Sequence, residues 1–121
     1  MKLEIIDGLF AVCKLAGDTD VPSWARGNFV SVTRTNEELS IVAPLDCVPE
    51  DIQREDGFKL FRISGSLNFS LVGVLARISN VLAGAAISIF VISTFDTDYV
   101  LVKTDDFANA KQALQNSGYK F

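Results

Sequence analysis

The chain repeats itself imperfectly, and this constrains its fold more than any single motif. Gly8 followed by LFAVCKL resembles Gly57 followed by FKLFRI, an offset of 49 residues. The segment Phe29–Val42 matches Ile89–Val102, an offset of 60. The two offsets differ by about three helical turns at 3.6 residues per turn. Each half therefore reads as strand, helix, hairpin, helix, with the first half's helix cut down. A sheet left bare by a missing helix must pack against something else. The expected division is a shortened unit over 1–56 and a fuller one over 57–121, packed on each other or on another chain.

Local patterns fill in the elements. LEII-DG-LFAVCKL predicts a hairpin turning at Asp7-Gly8. The stretch GDTDVPSWARGN has room for one helical turn, with Trp24 as an apolar lid over the first sheet. Phe29–Val42 predicts a hairpin turning near Asn36-Glu37. EDIQRED is at most a short helix before Gly57, and Phe58–Ile63 is a strand. Leu71, Leu75, Ile78 and Leu82 recur on one helical face, with Ser70 as cap and a stop near Gly84. Ile87–Phe95 is apolar on both faces and predicts a central, covered strand. Asp96-Thr97-Asp98 turns it into YVLV. Asp105 or Asp106 caps a last helix carrying Phe107, Ala110 and Leu114. Gly118 ends that helix, and Tyr119–Phe121 adds a short edge strand.

The run Leu67–Ile92 is apolar enough to suggest a membrane span, but Arg77 and Asn80 lie near its middle. A central arginine costs about 2.5–3.5 kcal/mol there. The spacing also changes from helical to β-branched after Gly84, so a buried helix followed by a buried strand is expected.

Composition narrows the chemistry. The 121 residues contain no histidine, which removes Ser-His-Asp and Cys-His mechanisms and histidine metal sites. Cys13 and Cys47 have no CxxC spacing and read as reduced, poorly reactive thiols. Neither a metal nor another cofactor is expected. Net charge is −4 with basic residues scattered singly, which argues against nucleic acid and anionic membranes as partners. The N-terminus MKLEIIDG lacks a signal-peptide core, so a cytoplasmic location is expected.

Two places offer binding chemistry. Ser64–Gly73 ends where a helix begins, and the N–H groups of Leu71, Val72 and Gly73 would suit a carboxylate. The same residues also describe an ordinary capped helix start. At STFDTDY, Asp96 and Asp98 flank a tight turn, where aspartate serves local hydrogen bonding. Alternatively, Asp98 meets a ligand ammonium or guanidinium while Ser93 and Thr94 supply polar contacts. Arg34 has Glu37 and Glu38 as surface partners, and Arg62 and Arg77 are expected to be solvated.

NFSLVGVLARISNVLAGAAISIFVISTFDTDYVLV, together with FVSVTRTNEELSIV, resembles the ACT domain. More narrowly, it is similar to small bacterial double-ACT proteins related to CASTOR-type amino-acid sensors and to aspartate kinase regulatory regions. The resemblance implies an α+β, ferredoxin-like βαββαβ fold: two tandem ACT-like units with the first shortened, and antiparallel sheets with helices on one face. It also implies a non-enzymatic amino-acid-binding regulatory module sensing at a domain or subunit interface, as a homodimer or higher homo-oligomer. Carried over by position, the ligand's carboxylate would sit near the N–H groups at Ser70, Leu71, Val72 and Gly73. Thr94 and Phe95 would line the pocket, and Asp98 would face a basic ligand end; Asn68, Phe69 and Ser93 complete the expected ligand-binding set. Arginine sensors carry an acid where this chain has Leu71, which weakens the case for arginine and leaves a smaller or neutral amino acid, or no ligand, open. The alternative is a ligand-independent structural or partner-binding module.

Overall fold

A computed structural model describes residues 1–65 and 72–121. Among these, the strands are β1 (Leu3–Ala16), β2 (Ser31–Arg34), β3 (Glu38–Pro44), β4 (Arg54–Ile63), β5 (Phe90–Ser93) and β6 (Asp98–Lys103). The helices are α1 (Val74–Gly84) and α2 (Thr104–Asn116), and Leu45–Cys47 form one 3-10 turn. The pairs β1/β3, β2/β3 and β5/β6 are antiparallel, giving a small α+β fold.

The chain forms two compact units: Met1–Ile6 with Lys59–Phe121, and Asp7–Phe58. In the first of these, strands follow the order β1-β4-β6-β5. Leu3, Phe61, Ile63, Val100 and Val102 meet Val74, Ile78 and Leu82 of α1 and Ala110 and Leu114 of α2 in one core. Both helices therefore lie on one sheet face. Each of these larger apolar side chains contributes about 1.5–3 kcal/mol on full burial. The C-terminus closes the unit: Lys120 bridges Lys2 in parallel, and Phe61 and Phe121 stack edge to face at 5.6 Å.

In the unit Asp7–Phe58 the order is β2-β3-β1-β4. Ala11, Cys13, Leu39, Ile41, Ala43 and Val48 form its core, with Trp24, Val30, Leu45 and Ile52 packed against it. No α-helix occurs here; the segment expected to hold one helical turn bends instead, with the Ala25 N–H donating to the Pro22 carbonyl at 3.2 Å. Trp24 does cover this sheet, as expected.

Several expectations are corrected. Asp7-Gly8 is not a hairpin turn but lies inside one 14-residue strand, with Gly8 at φ +98°. Residues 10–16 find their antiparallel partner in β3, which gives them a packed sheet instead of an isolated two-stranded ribbon. Gly57 sits likewise inside β4 at φ +78°, and β4 starts at Arg54, where a short helix was expected. A left-handed glycine within a strand bends and twists it.

The strand predicted over Ile87–Phe95 is shortened to Phe90–Ser93, and it is an edge strand, not a central one. Its residues are half-buried or exposed because only β6 flanks it. Helix α1 starts at Val74, since Gly73 at φ +79° lies outside helical space. Its stop lies beyond Gly84, at Ala86 with φ +60°. There the Ile87 N–H reaches the Leu82 carbonyl at 3.0 Å and the Ala86 N–H reaches that of Ala83 at 3.0 Å, a Schellman closure. Helix α2 closes the same way through Gly118. It begins at Thr104 without a side-chain cap, and Asp105 and Asp106 favour the helix dipole from its first turn.

Candidate functional site

The β5–β6 turn is built by threonines. Ser93 pairs with Asp98 across the strands, enclosing Thr94–Thr97. The Thr94 N–H donates to the Thr97 carbonyl at 2.9 Å, and the Thr94 hydroxyl donates to the same carbonyl at 3.1 Å. Thr97 points inward: its hydroxyl donates to the Ile63 carbonyl at 2.9 Å, and it is 2% exposed. It is the one buried polar residue among those described. This bond fastens the turn to the C-terminal end of β4, where the chain leaves towards α1.

The predicted site residues divide by location. Asn68, Phe69, Ser70 and Leu71 lie outside the described residues. Ser93 and Asp98 are brought together, the serine hydroxyl donating to the Asp98 carboxylate at 2.6 Å. Asp98 shares its sheet face with Val100 and Val102, the face that carries both helices. Thr94 serves the turn, and Phe95 is 79% exposed at its tip. Val72 is 84% exposed and Gly73 immediately precedes α1.

With Gly73 as the N-cap, the N–H groups of α1 without an intrahelical partner are those of Val74, Leu75 and Ala76; the Arg77 N–H donates to the Gly73 carbonyl at 3.0 Å. The Arg77 guanidinium folds back over this end, its Nη1 3.0 Å from where a Gly73 Cβ would stand. A cation and a helix N-terminus thus share one spot.

Arg62 and Arg34 also depart from expectation. Arg62 is not merely solvated: its Nε meets Glu4 at 3.4 Å, and it also hydrogen-bonds Tyr99. The Ser64 hydroxyl donates to the same Glu4 carboxylate. That hydroxyl and the Arg62 guanidinium hold the Glu4 carboxyl below the usual carboxylate range, against a partial rise from desolvation. Arg34 bonds the Gly17 carbonyl, not Glu37 or Glu38. From sequence, Thr97 reads only as a turn residue and Arg77 only as a solvated side chain, and Glu4 is not singled out. Only the TxxT spacing at the turn could have marked Thr97, since its partner is a backbone carbonyl 34 residues away.

The arrangement offers a hydroxyl–carboxylate pair suited to a cation and, at the start of α1, donors suited to an anion. Among the described residues no group of three or more His, Cys, Asp or Glu side chains could hold a metal ion. No described helix is long and apolar enough to cross a membrane.

Comparison with known proteins identifies the fold. A family model of the ACT domain matches residues 53–116, just over half of the chain, and a model of a separate N-terminal domain matches 8–51. A crystal structure of an Agobacterium tumefaciens protein is 37% identical, with 98% of this chain and 90% of that one covered and a TM-score of 0.93. A Vibrio cholerae protein of unknown function, described as a possible transport protein, is 20% identical. It covers 95% of this chain and 88% of its own, with a TM-score of 0.78. Aspartate kinase from Clostridium acetobutylicum shares the fold at a TM-score of 0.63 and 17% identity, over 94% of this chain and 33% of the kinase. No curated protein matches significantly. From the family model over just over half of its length, the chain belongs to the ACT domain family, whose members are regulatory small-molecule-binding modules.

Proposed function

We propose that this protein binds a free amino acid at the β5–β6 turn and the start of α1, and that binding regulates its association. The observation that carries this is the Ser93–Asp98 pair, held at the end of the helix-bearing face by the Thr97–Ile63 bond. Asp98 takes the ligand's ammonium, with Ser93 orienting the carboxylate. The N–H groups at the start of α1 and the Arg77 guanidinium take its carboxylate. In this reading the chain is a pair of ACT-like units, the first shortened, working in the cytoplasm as a homo-oligomer.

A thermal-shift screen against the twenty amino acids tests it. A ligand at 100 times its Kd adds about 2.7 kcal/mol. Asp98→Asn and Arg77→Ala should each abolish the response of the responding amino acid. No shift with any amino acid at millimolar concentration would end the proposal.

One observation favours a second reading, a ligand-independent assembly module. The edge strand β5 carries Phe90, Val91 and Ile92, all only half-buried, and such edges pair with other chains. Light scattering separates the two: a mass indifferent to every amino acid supports assembly alone.

A further inference from the structure

The two hairpin turns are built alike, each described within its own unit. Arg34 pairs with Leu39 as Ser93 pairs with Asp98, and each pair encloses four residues beginning with threonine. The Thr35 N–H donates to the Glu38 carbonyl at 2.9 Å, the distance of the Thr94–Thr97 bond. The Thr35 hydroxyl accepts from the Glu38 N–H at 3.1 Å, as the Thr94 hydroxyl does from the Thr97 N–H at 3.4 Å. Matched in this way, Arg34 stands where the second turn has Ser93, and Leu39 where it has Asp98.

The chemistry at those two positions is inverted. Leu39 is fully buried in the core of its unit and offers no polar group. The Arg34 guanidinium donates through Nη1 to the Gly17 carbonyl, at the exit of β1. The turn also presses on Gly17: a Cβ there would stand 3.0 Å from the Asn36 carbonyl oxygen and 3.2 Å from the Glu38 nitrogen. The first turn thus carries its own cation where the second carries a serine paired with an acid.

We propose that Arg34 is an internal plug, its guanidinium holding the place at the Gly17 carbonyl that the cationic end of a small guanidinium or ammonium compound would take. The first turn is then a latent site, closed in cis, and the chain binds a single amino acid at the second. This rests on the reading that the Ser93–Asp98 turn receives the ligand.

The test follows backbone amide resonances while N-methylguanidinium is added to low millimolar concentration. In the wild type, the amides of Gly17, Thr35 and Glu38 should stay put. In Arg34→Ser they should move saturably, with tetramethylammonium, equal in charge but without donors, inert. Arg34→Lys keeps a cation in place and should stay unresponsive. Arg34 is exposed and outside the core of its unit, so these variants should fold. Saturable movement in the wild type would overturn the proposal without any variant, and so would a folded Arg34→Ser protein that does not respond. Shifts at Ser93–Asp98 are read separately, so loss of the main site and loss of the plug give different spectra.

Discussion

Thr97→Val removes one hydroxyl and leaves the side-chain shape nearly unchanged, which isolates the bond fastening the β5–β6 turn. Thr97 is 2% exposed and Ile63, whose carbonyl accepts its hydroxyl, is fully buried. Water cannot replace the lost donor, so the variant bears the cost of an unsatisfied buried acceptor, about 1–3 kcal/mol. Taking about 2.1 cal/mol/K per residue as the unfolding entropy over 121 residues gives about 0.25 kcal/mol/K. The melting temperature should then fall by about 4–12 °C. Differential scanning calorimetry reads this directly. Thr97→Ser keeps the hydroxyl and should recover part of the loss. If the turn is part of the ligand site, Thr97→Val should also shrink any amino-acid-induced shift. A valine variant melting within a degree of the wild type would refute the assignment of Thr97 as the fastener.

Further expectations follow from strain, burial and charge. Ala86→Gly should raise stability by about 0.5–1 kcal/mol in calorimetry, because an L side chain at φ +60° costs about 1–2 kcal/mol and glycine returns part of that as unfolded-state entropy. Gly27→Ala should destabilise markedly in a urea melt, since its Cβ would collide with Pro44 Cγ at a φ of +143°. Cys13, 1% exposed, should resist iodoacetamide until the chain unfolds, whereas half-exposed Cys47 should react in the native state. Desolvation first, and then the Asp46 carboxylate, push the Cys47 thiol up, so its labelling should be slow at neutral pH, accelerate as pH rises, and quicken in Asp46→Asn. Ser64→Ala should raise the Glu4 pKa in an NMR titration, because that hydroxyl is the largest cause of its depression. A carboxyl depressed in the fold stabilises above its unfolded pKa and loses that stabilisation as pH falls through the folded value, so the variant should show a shallower acid-side decline.

What the sequence disclosed, and what it hid, follow the range of the interactions involved. The hairpins turning near Asn36-Glu37 and at Asp96-Thr97-Asp98, α2 and the apolar face of α1 were legible because each is written in a few consecutive residues: alternation, helical spacing, an Asp-rich turn. The lid role of Trp24 was legible too, as an isolated large apolar group beside a short-helix strand pattern. The misread helix ends are local, set by the positive φ of Gly73 and Ala86, whereas the misread strands involve partners remote in sequence. Asp7-Gly8 looks like a turn until β3 takes residues 10–16 as its partner. Ile87–Phe95 looks central because apolar content reports how much surface a strand can bury, not how many strands flank it. At the candidate site the same division holds. Ser93 and Asp98 meet across one turn and could be read from their spacing. Thr97 acts on a carbonyl of β4, and Arg34 on one at the end of β1. A backbone carbonyl has no identity in the sequence, so a side chain that serves one leaves no pattern. That is also why the inverted pairs, Arg34/Leu39 against Ser93/Asp98, emerge only once the two registers are known. The 60-residue offset read from the letters places Arg34 against Thr94; the strand pairing shifts the match by one residue and sets Arg34 against Ser93.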